Sequence, residues 1–571
     1  MLARAFALRP TVVNRWDFIA VPLIFGALVL TVYGLRGMDV PLATVEQTAI
    51  SLDRAELPLY ALYTTLRMFA AMIASLVFTF TYGALAAKSR RAEMILVPVL
   101  DILQSVPILG FLSFTVVFFL SLFPGRAVGA ECAAVFAIFT SQAWNMAFSF
   151  YQSLRTLPDD LQEVSSSFRL SGWQKFWRLE VPFAMPGLVW NMMMSMSGGW
   201  FFVVAAETIS VGAHHAMLPG LGSYVATAIA ARDLSGVGWA LATMLIVIVL
   251  YDQLMFRPLA VWAEKFRFEQ TAGYAAPESW SLRMLRTSRV IAVMRKPAGR
   301  FLRAFASARW LVPRRRGDAV AISPVALDWA WGTLLAIVCV VGAWLTIRFV
   351  STELDVGEVV RVFGLGFLTL IRVVVLIALA SLVWVPIGIW VGLRPTWTRW
   401  VQPIAQFLAA FPANLLFPIA VVAIVHFRLS PGIWLSPLMV LGTQWYILFN
   451  VIAGASAFPS DLRDAATNMR VTGWNWWRRV IVPGIFPYYV TGGITASGGS
   501  WNASIVSETV SWGDTHLTAA GLGSYIAAAT DAGDYPRIVL GIAVMSVFVT
   551  VFNRLVWRPM YAYAERRLRI L

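Results

Sequence analysis

Charged residues are scarce in this 571-residue chain. Asp, Glu, Lys and Arg make up 13% of it and hydrophobic residues 59%, whereas a soluble domain usually has about 25% charged residues. So few polar side chains cannot cover the surface of a soluble protein, which excludes a soluble globular enzyme of this size. The mean hydropathy of +0.71 instead indicates a membrane protein with several spans.

Cysteine, histidine and lysine are also rare. Cys132 and Cys339 lie inside apolar runs and predict neither a disulfide framework nor a metal cluster. The four histidines lie in predicted outer loops or at span ends, where we expect ordinary exposed side chains and no metal site. None of the four lysines belongs to a GxxxxGK[ST] phosphate loop, and HExxH and CxxC motifs are also missing from the sequence. We therefore expect a non-enzymatic subunit that binds no ATP or other cofactor itself.

Basic residues outnumber acidic ones, 45 to 30, which gives a net charge of +15. In a soluble protein this excess would suggest nucleic acid as a partner. In a membrane protein it indicates cytoplasmic loops rich in arginine, so we expect a lipid membrane and no nucleic acid.

Twelve apolar runs are long enough to cross a bilayer as helices, which takes about 20 residues each. They lie near 16–35, 60–87, 94–123, 127–152, 183–210 and 236–262, and near 324–349, 360–393, 400–427, 433–457, 484–511 and 537–562. The sequence therefore predicts an all-α polytopic protein with twelve transmembrane helices in two six-helix repeats, at 1–262 and 323–571. Prolines 98, 107, 403 and 412 predict kinks or breaks.

Lysine and arginine concentrate before the first run and after the second, fourth and sixth runs. The opposite loops are acidic or poor in basic residues. By the positive-inside rule, both termini are cytoplasmic, and so is the basic stretch 263–322 that joins the repeats. This linker is either a solvated connection or a surface that binds anionic lipid or a cytoplasmic partner.

The second half repeats the first at an offset of 301 residues in the part that includes Pro158, and at an offset of 305 residues further upstream, from Thr64 to Pro107. Matched pairs include Pro182 and Pro483, Trp200 and Trp501, Glu207 and Glu508, and Arg67 and Arg372. Two copies with six spans each have the same orientation, so an axis along the membrane normal relates them. Any shared pathway is then expected between the copies.

One cytoplasmic loop is present in both copies, at 157–186 and 458–487. Each copy has a proline in a predicted first helical turn, an aspartate that complements the helix N-terminus, a glycine predicted to end the helix, and a tryptophan after it. These residues are Pro158, Asp160, Gly172 and Trp173 in the first copy and Pro459, Asp461, Gly473 and Trp474 in the second.

The spacing from Glu163 to Pro182, and from Asp464 to Pro483, resembles the EAA loop of ABC importer permeases of type I. The resemblance implies that each short helix is a coupling helix that docks on a cytoplasmic ATPase subunit. It also implies that ATP and magnesium bind to those partner subunits, two in number. Both copies depart from the family in having an arginine, Arg169 or Arg470, where the family usually has glycine.

Further motifs resemble the permeases for nitrate, taurine, aliphatic sulfonates and bicarbonate. The first is a Thr-Leu-x-Arg-like motif within a helix, with its arginine at Arg67 or Arg372, and the second is a proline-containing helix, with Pro107 or Pro412. The third is a glutamate followed by Gly-Leu-Gly at 220–222 or 521–523. The chain thus resembles two permease subunits fused in one chain. This implies import of a small anion across the bacterial inner membrane from a periplasmic or surface-tethered binding protein.

Two other functions remain open. One is a fused permease for ferric iron, thiamine or a polyamine. The other is a proton-coupled secondary transporter, which also has twelve spans but needs a buried carboxylate or histidine relay. A membrane-embedded enzyme would need a nucleophile or metal constellation that the sequence does not offer.

Arg67 and Arg372 are predicted to lie inside the membrane at a depth similar to that of Glu207 and Glu508. Each half can thus form a pair of opposite charges near a tryptophan, Trp200 or Trp501. Either these pairs brace the helices of each half, or an arginine meets the transported anion while the glutamates help to close an outer gate.

Overall fold

The computed structural model describes residues 16–38, 40–42, 49–105, 108–211, 214–266, 279–308, 324–411, 413–456 and 458–567. Pro107 and Pro412, at which breaks are predicted, lie outside these residues. The same holds for the first fifteen residues and for parts of the predicted linker, at 267–278 and 309–323.

The first half is helical except for one short hairpin of two strands. Its helices are α1 (Asp17–Met38), α2 (Arg54–Lys88), α3 (Arg90–Ser105), α4 (Ile108–Leu122), α5 (Ala127–Arg155), α6 (Asp159–Ser167), α7 (Gly172–Glu207), α8 (Leu221–Ala230) and α9 (Leu234–Ala263). The antiparallel strands β1 (Thr208–Val211) and β2 (His214–Met217) lie between α7 and α8.

The linker and the second half follow. Linker helices are α10 (Trp280–Thr287) and α11 (Arg289–Ser307). The second half contains α12 (Pro324–Ser351), α13 (Val356–Gly392), α14 (Pro395–Ala410), α15 (Phe417–His426), α16 (Pro431–Ser456, interrupted near Pro437), α17 (Ser460–Asn468), α18 (473–507), α19 (Leu522–Ala532) and α20 (Tyr535–Ala564). Strands β3 (Thr509–Trp512) and β4 (Thr515–Thr518) form the matching hairpin.

Within the described residues, nine helices are long and apolar enough to cross a membrane. Two more of the twelve predicted runs are divided: 94–123 contains parts of α3 and α4, and 400–427 contains parts of α14 and α15. The run at 484–511 lies mostly in the continuous but less apolar helix α18. The prediction of an all-α polytopic protein built from two similar halves is confirmed.

Helices α7 and α18 widen at matching positions. Each has a π-helical turn, at Phe176–Glu180 and Trp477–Ile481, directly before the helical segments that contain Pro182 and Pro483. A proline has no N–H to donate to the preceding turn and its ring crowds the carbonyl four residues earlier, so a wider turn fits there. The matched prolines therefore account for the matched π-helical turns in the two halves.

Each half has its own hydrophobic core, and contacts between the halves join α7 to α14 and α16, α4 to α18, α19 and α20, and α3 to α20. At the contact, the rings of Trp190 and Phe449 stack with centroids 4.5 Å apart. On the side of the β-hairpins, Arg232 Nη2 lies 2.7 Å from Asp514 Oδ2. Side chains from both halves therefore surround the space between them.

Candidate functional site

The short helices α6 and α17 are the predicted coupling helices, and they end in the same way. Arg169 and Arg470 adopt left-handed conformations with φ of 50° and 51°. The N–H groups of Arg169 and Leu170 donate to the carbonyls of Ser166 and Ser165, which satisfies the last carbonyls of α6. The arginines thus occupy the position at which the family usually has glycine.

The prediction that Gly172 and Gly473 end these helices is wrong. Each glycine is instead the first residue of the next helix, α7 or α18. The helix has already reversed three residues earlier, at the left-handed arginine, so the glycine has no stop to provide. Pro158 and Pro459 likewise lie directly before the first helical residue and not within the first turn.

Both coupling helices present charged and apolar side chains to solvent. The predicted residues Asp160, Glu163, Asp461 and Asp464 are all exposed. The sequence analysis missed a matched apolar pair: Phe168 is 76% exposed and Met469, at the offset of 301, is 78% exposed. A large exposed apolar side chain at the same place in both halves makes Phe168 and Met469 candidates for a contact surface. The repeat alignment alone would have identified this pair.

The tryptophans after the coupling helices differ between the halves. Trp173 is partly buried and donates its indole N–H to the Phe305 carbonyl at 2.7 Å, whereas Trp474 is 75% exposed. Phe305 belongs to the linker helix α11, so the linker contacts only the first of these two tryptophans among the described residues.

Arg67 is fully buried between two carboxylates. Its Nε and Nη2 donate to the two oxygens of Glu131 at 2.6 and 2.7 Å, and its Nη1 donates to Glu207 at 2.7 Å and to the Pro219 carbonyl at 2.9 Å. Thr64 Oγ1 donates to the same Glu207 oxygen at 2.6 Å. This geometry satisfies the charged groups of α2, α5 and α7 within the first half.

The second half has a smaller version of this cluster. Arg372 Nη1 lies 3.0 Å from Glu508 Oε1, and Arg372 Nη2 donates to the Gly432 carbonyl at 3.2 Å. Thr369, which matches Thr64, donates to Glu508 at 2.9 Å. The predicted Arg and Glu pair therefore forms in both halves, and each glutamate lies where α7 or α18 ends.

The buried glutamates explain why each half has a Gly-Leu-Gly motif. A Cβ at Gly220 would overlap the Glu207 carboxylate, and one at Gly521 would overlap that of Glu508. In addition, the Gly222 N–H donates to Glu207 at 2.6 Å. The motif thus allows the start of α8 or α19 to approach a carboxylate closely.

Trp200 and Trp501 are buried in the hydrophobic cores of their own halves. Trp501 stacks on Phe548 with centroids 6.4 Å apart. The sequence analysis placed both tryptophans at a pathway or gate together with Arg67, Glu207, Arg372 and Glu508. None of these six residues lines the cavity described next, so their packing favours the bracing alternative.

A cavity of about 120 Å³ lies between the two halves. Helices α5 and α7 line it from the first half, and α16, α18 and the C-terminal end of α14 line it from the second. None of its lining residues carries a formal charge. Its polar lining includes Ser141, Trp144, Ser195, Thr443, Tyr446 and Asn502.

Two residues that line this cavity carry an unpaired donor. The Trp144 indole Nε1 and the Ser195 hydroxyl are buried and have no hydrogen-bond partner among the described residues. A buried donor without a partner costs about 1–3 kcal/mol, so a passing solute that accepts these hydrogen bonds would stabilise the site. The sequence analysis missed both residues because neutral side chains within apolar helices give no signal. As for metals, no group of three or more His, Cys, Asp or Glu side chains lies together in the part of the chain that the structure describes.

Comparison with known proteins gives relatives that each match about a third of the chain. A nitrate import permease protein from Leptolyngbya laminosa is 26% identical over 185 residues, which cover 32% of this chain and 63% of that protein. A bicarbonate transport system permease protein from Synechococcus elongatus is 27% identical over 188 residues, 33% of this chain and 64% of that protein. A glycine betaine/carnitine transport permease protein from Listeria monocytogenes is 31% identical over 177 residues, 30% of this chain and 56% of that protein. The chain thus spans less than two thirds of the length of each of these relatives.

A family match occurs twice. Residues 79–257 and 384–570 both match the family described as binding-protein-dependent transport system inner membrane component. The two matches lie on either side of the linker, which confirms the predicted resemblance to two permease subunits fused in one chain. Together they cover more than half of the chain, which therefore belongs to the family of binding-protein-dependent inner membrane transport components.

Proposed function

We propose that this chain is the membrane permease of an ABC importer for a small oxyanion, driven by two separate ATPase subunits. The observation that carries this proposal is the duplicated coupling helix. Both copies combine exposed acidic residues with an exposed apolar residue, Phe168 or Met469, at matched positions. One chain thereby offers two equivalent contact surfaces, one for each ATPase subunit.

ATP and magnesium bind to the ATPase subunits in this proposal, and the chain itself transmits their movement. A periplasmic or surface-tethered binding protein delivers the substrate at the face that carries the β-hairpins. The coupling helices, both termini and the linker then lie in the cytoplasm, in agreement with the distribution of lysine and arginine.

The cavity between the halves supports an oxyanion as substrate. Its free N–H and O–H donors, at Trp144 and Ser195, suit oxygen atoms of a small anion. Because no arginine or lysine lines it, the cavity would hold an anion weakly, and weak binding suits a pathway from which the substrate must leave. The nitrate and bicarbonate permeases among the relatives point to the same class.

A second candidate substrate is a quaternary ammonium compound. Five aromatic residues line the cavity, namely Trp144, Phe201, Phe202, Phe411 and Tyr446. Aromatic faces bind quaternary ammonium groups, and one relative is a glycine betaine/carnitine permease. The two open alternatives fit less well. Ferric iron, thiamine and polyamines are cations and would meet no carboxylate in this cavity, and the buried carboxylates Glu207 and Glu508, on which a proton relay would depend, are held by arginine.

The purified permease, its ATPase and its binding protein, reconstituted in vesicles, test the proposal. We expect two ATPase subunits per chain, and ATP-driven uptake of nitrate, bicarbonate or a sulfonate. Trp144→Phe removes the N–H group together with part of the ring system but keeps an aromatic side chain, and it should lower oxyanion uptake, whereas uptake of a quaternary ammonium compound should tolerate it. Trp445→Phe is the matched control, because Trp445 occupies the equivalent position in the second half but packs on Trp384 instead of lining the cavity.

Three results would contradict the proposal. A complex with a single ATPase subunit would overturn the stoichiometry. Uptake driven by a proton gradient in the absence of ATP would indicate a secondary transporter. Uptake of glycine betaine with no uptake of any oxyanion would assign the second substrate class.

A further inference from the structure

The linker contains two helices that are attached to the first half. At the N-terminal end of α11, Ser288 Oγ donates to the Asp17 carboxylate, and the Val290 N–H donates to the same carboxylate at 3.1 Å. Asp17 is buried and is the first residue of the membrane span α1. This end of α11 is therefore fixed where a transmembrane helix begins.

The C-terminal end of α11 is fixed at a second span. Gln174 Nε2 donates to the Ser307 carbonyl at 2.8 Å, and Arg178 Nη2 donates to the Ser307 hydroxyl at 2.6 Å. The Phe305 ring packs edge-on against Trp173, with centroids 4.9 Å apart. Trp173, Gln174 and Arg178 belong to the beginning of α7, directly after the first coupling helix α6.

Both anchors lie at the starts of membrane spans, so α11 lies along one membrane face. A helix of 19 residues extends over about 28 Å at 1.5 Å per residue, which is long enough to connect the two anchors along that face. Its direction is thus set by hydrogen bonds at both ends.

The free surface of α11 has two sides of different chemistry. Four exposed basic residues, Arg295, Lys296, Arg300 and Arg303, lie on one side. On the helical wheel, the apolar residues group on the opposite side, where Phe301 is 70% exposed and Leu302 is also exposed. Contact between this apolar side and water is unfavourable. At a membrane surface, the apolar side can face the acyl chains while the basic side faces the headgroups.

We infer that α11 is an interfacial helix that binds the anionic phospholipids of the cytoplasmic leaflet and transmits that binding to the first coupling helix. Phe301 and Leu302 enter the boundary of the acyl chains, and the basic residues contact phosphate groups. The charge of the linker favours an anionic surface, and its exposed apolar side favours lipid over a free anion. The cytoplasmic location rests on the proposed function.

The effect is confined to one half of the chain. In the second half, Arg479 matches Arg178 and Trp474 matches Trp173, and both of these residues are exposed. Lipid bound to α11 thus acts on the segment after α6 and leaves the segment after α17 without direct contact. Anionic lipid is expected to stabilise the docked position of the first coupling helix.

The position of α11 is tested without transport. In the permease with Cys132 and Cys339 replaced by alanine, a fluorophore is attached at Phe301→Cys or, as the neighbouring control, at Arg300→Cys. In vesicles of phosphatidylcholine and phosphatidylglycerol, lipids with a nitroxide on the upper acyl chain should quench the label at 301 more than the label at 300, and aqueous iodide should show the reverse. Equal iodide quenching at both positions would overturn the inference. Protection of both labels only after addition of the ATPase would also overturn it and assign the surface to protein.

The transmission is tested by ATPase activity of the full complex in the same vesicles and in phosphatidylcholine alone. Phosphatidylglycerol should raise substrate-stimulated activity several-fold, and this ratio should fall to about one in the variant with all four basic residues changed to glutamine and at high salt, because salt screens the charges. Arg178→Gln should also reduce the ratio, whereas Arg479→Gln should leave it as in the unmodified chain. An equal loss in both variants would contradict transmission through the first half. If the complex shows no stimulated activity in any lipid, the proposed function fails, while the quenching result still decides where α11 lies.

Discussion

Arg67 holds the Glu131 carboxylate through two parallel hydrogen bonds, of 2.6 and 2.7 Å. At an offset of 301 residues, the position of Glu131 is taken by Gly432, whose carbonyl accepts a hydrogen bond from Arg372 at 3.2 Å. The first half therefore buries an arginine with two carboxylates, and the second half pairs its arginine with one carboxylate and a carbonyl.

Loss of Arg67 is expected to be more damaging than loss of Arg372. Arg67→Gln leaves Glu131 and Glu207 without their cation, and breaking a buried ion pair costs about 3–5 kcal/mol. Arg372→Gln leaves a single carboxylate, so its cost should be smaller. Thermal unfolding of the purified permease measures both changes.

A second substitution separates bracing from gating. If the arginine braces the helices, Glu207→Gln should restore part of the stability of Arg67→Gln, because it removes one uncompensated charge. If the arginine instead meets the anion, stability should hold while uptake falls and ATPase stimulation by the loaded binding protein persists. If Arg67→Gln and Glu207→Gln each left stability and uptake unchanged, these residues would neither brace the helices nor gate the pathway.

The first glycine of each Gly-Leu-Gly motif should not tolerate a side chain. Gly220→Ala and Gly521→Ala place a Cβ against a buried carboxylate and should lower the melting temperature. Gly238→Ala is the control, because a Cβ there meets nothing within 4 Å and alanine favours a helix by about 1 kcal/mol over glycine. If Gly238→Ala lowered the melting temperature and Gly220→Ala did not, this explanation of the motif would be wrong.

The coupling helices should lose ATPase binding when their exposed apolar residues are removed. Phe168→Ala and Met469→Ala leave the fold intact, since neither side chain is packed, but they remove the apolar contact. Each single variant should retain less ATPase on copurification, and the double variant should retain least. Glu163→Lys and Asp464→Lys should uncouple ATP hydrolysis from uptake. Normal copurification of the double variant would place the ATPase contact elsewhere.

The left-handed arginines after the coupling helices offer a test of opposite sign. A left-handed conformation costs a non-glycine residue about 1–2 kcal/mol, so Arg169→Gly and Arg470→Gly should raise stability modestly. Arg463→Gly, in the middle of α17, should lower it by about 1 kcal/mol. Thermal unfolding of the three variants decides the signs.

The repeat carried most of what the sequence could predict. Matched residues predicted the two short helices α6 and α17 and the Arg and Glu pairs, because these features occur at the same place in both halves. The membrane spans could be predicted because a long apolar helix has to be surrounded by lipid or by other parts of the protein.

Several features escaped prediction, and some of them occur in one half only. Glu131 has no counterpart at Gly432, so the repeat gave no reason to select it from α5. Trp144 and Ser195 become notable only when packing leaves their donors without partners. The position of the helix end, at Arg169 rather than Gly172, depends on a backbone angle that arginine rarely adopts.

The ion pair between Arg232 and Asp514 joins the halves on the side of the hairpins, and it has no mirror image: at the offset of 301, Gly533 stands for Arg232 and Ala213 for Asp514. In a homodimer every substitution appears twice, so a mutation that benefits one subunit must also be tolerated by its twin. Fusion of two copies removes that constraint. Each half of this chain could therefore change independently of the other. A symmetric dimer would form the contact between Arg232 and Asp514 twice, whereas duplication and divergence within one chain allow it to form once.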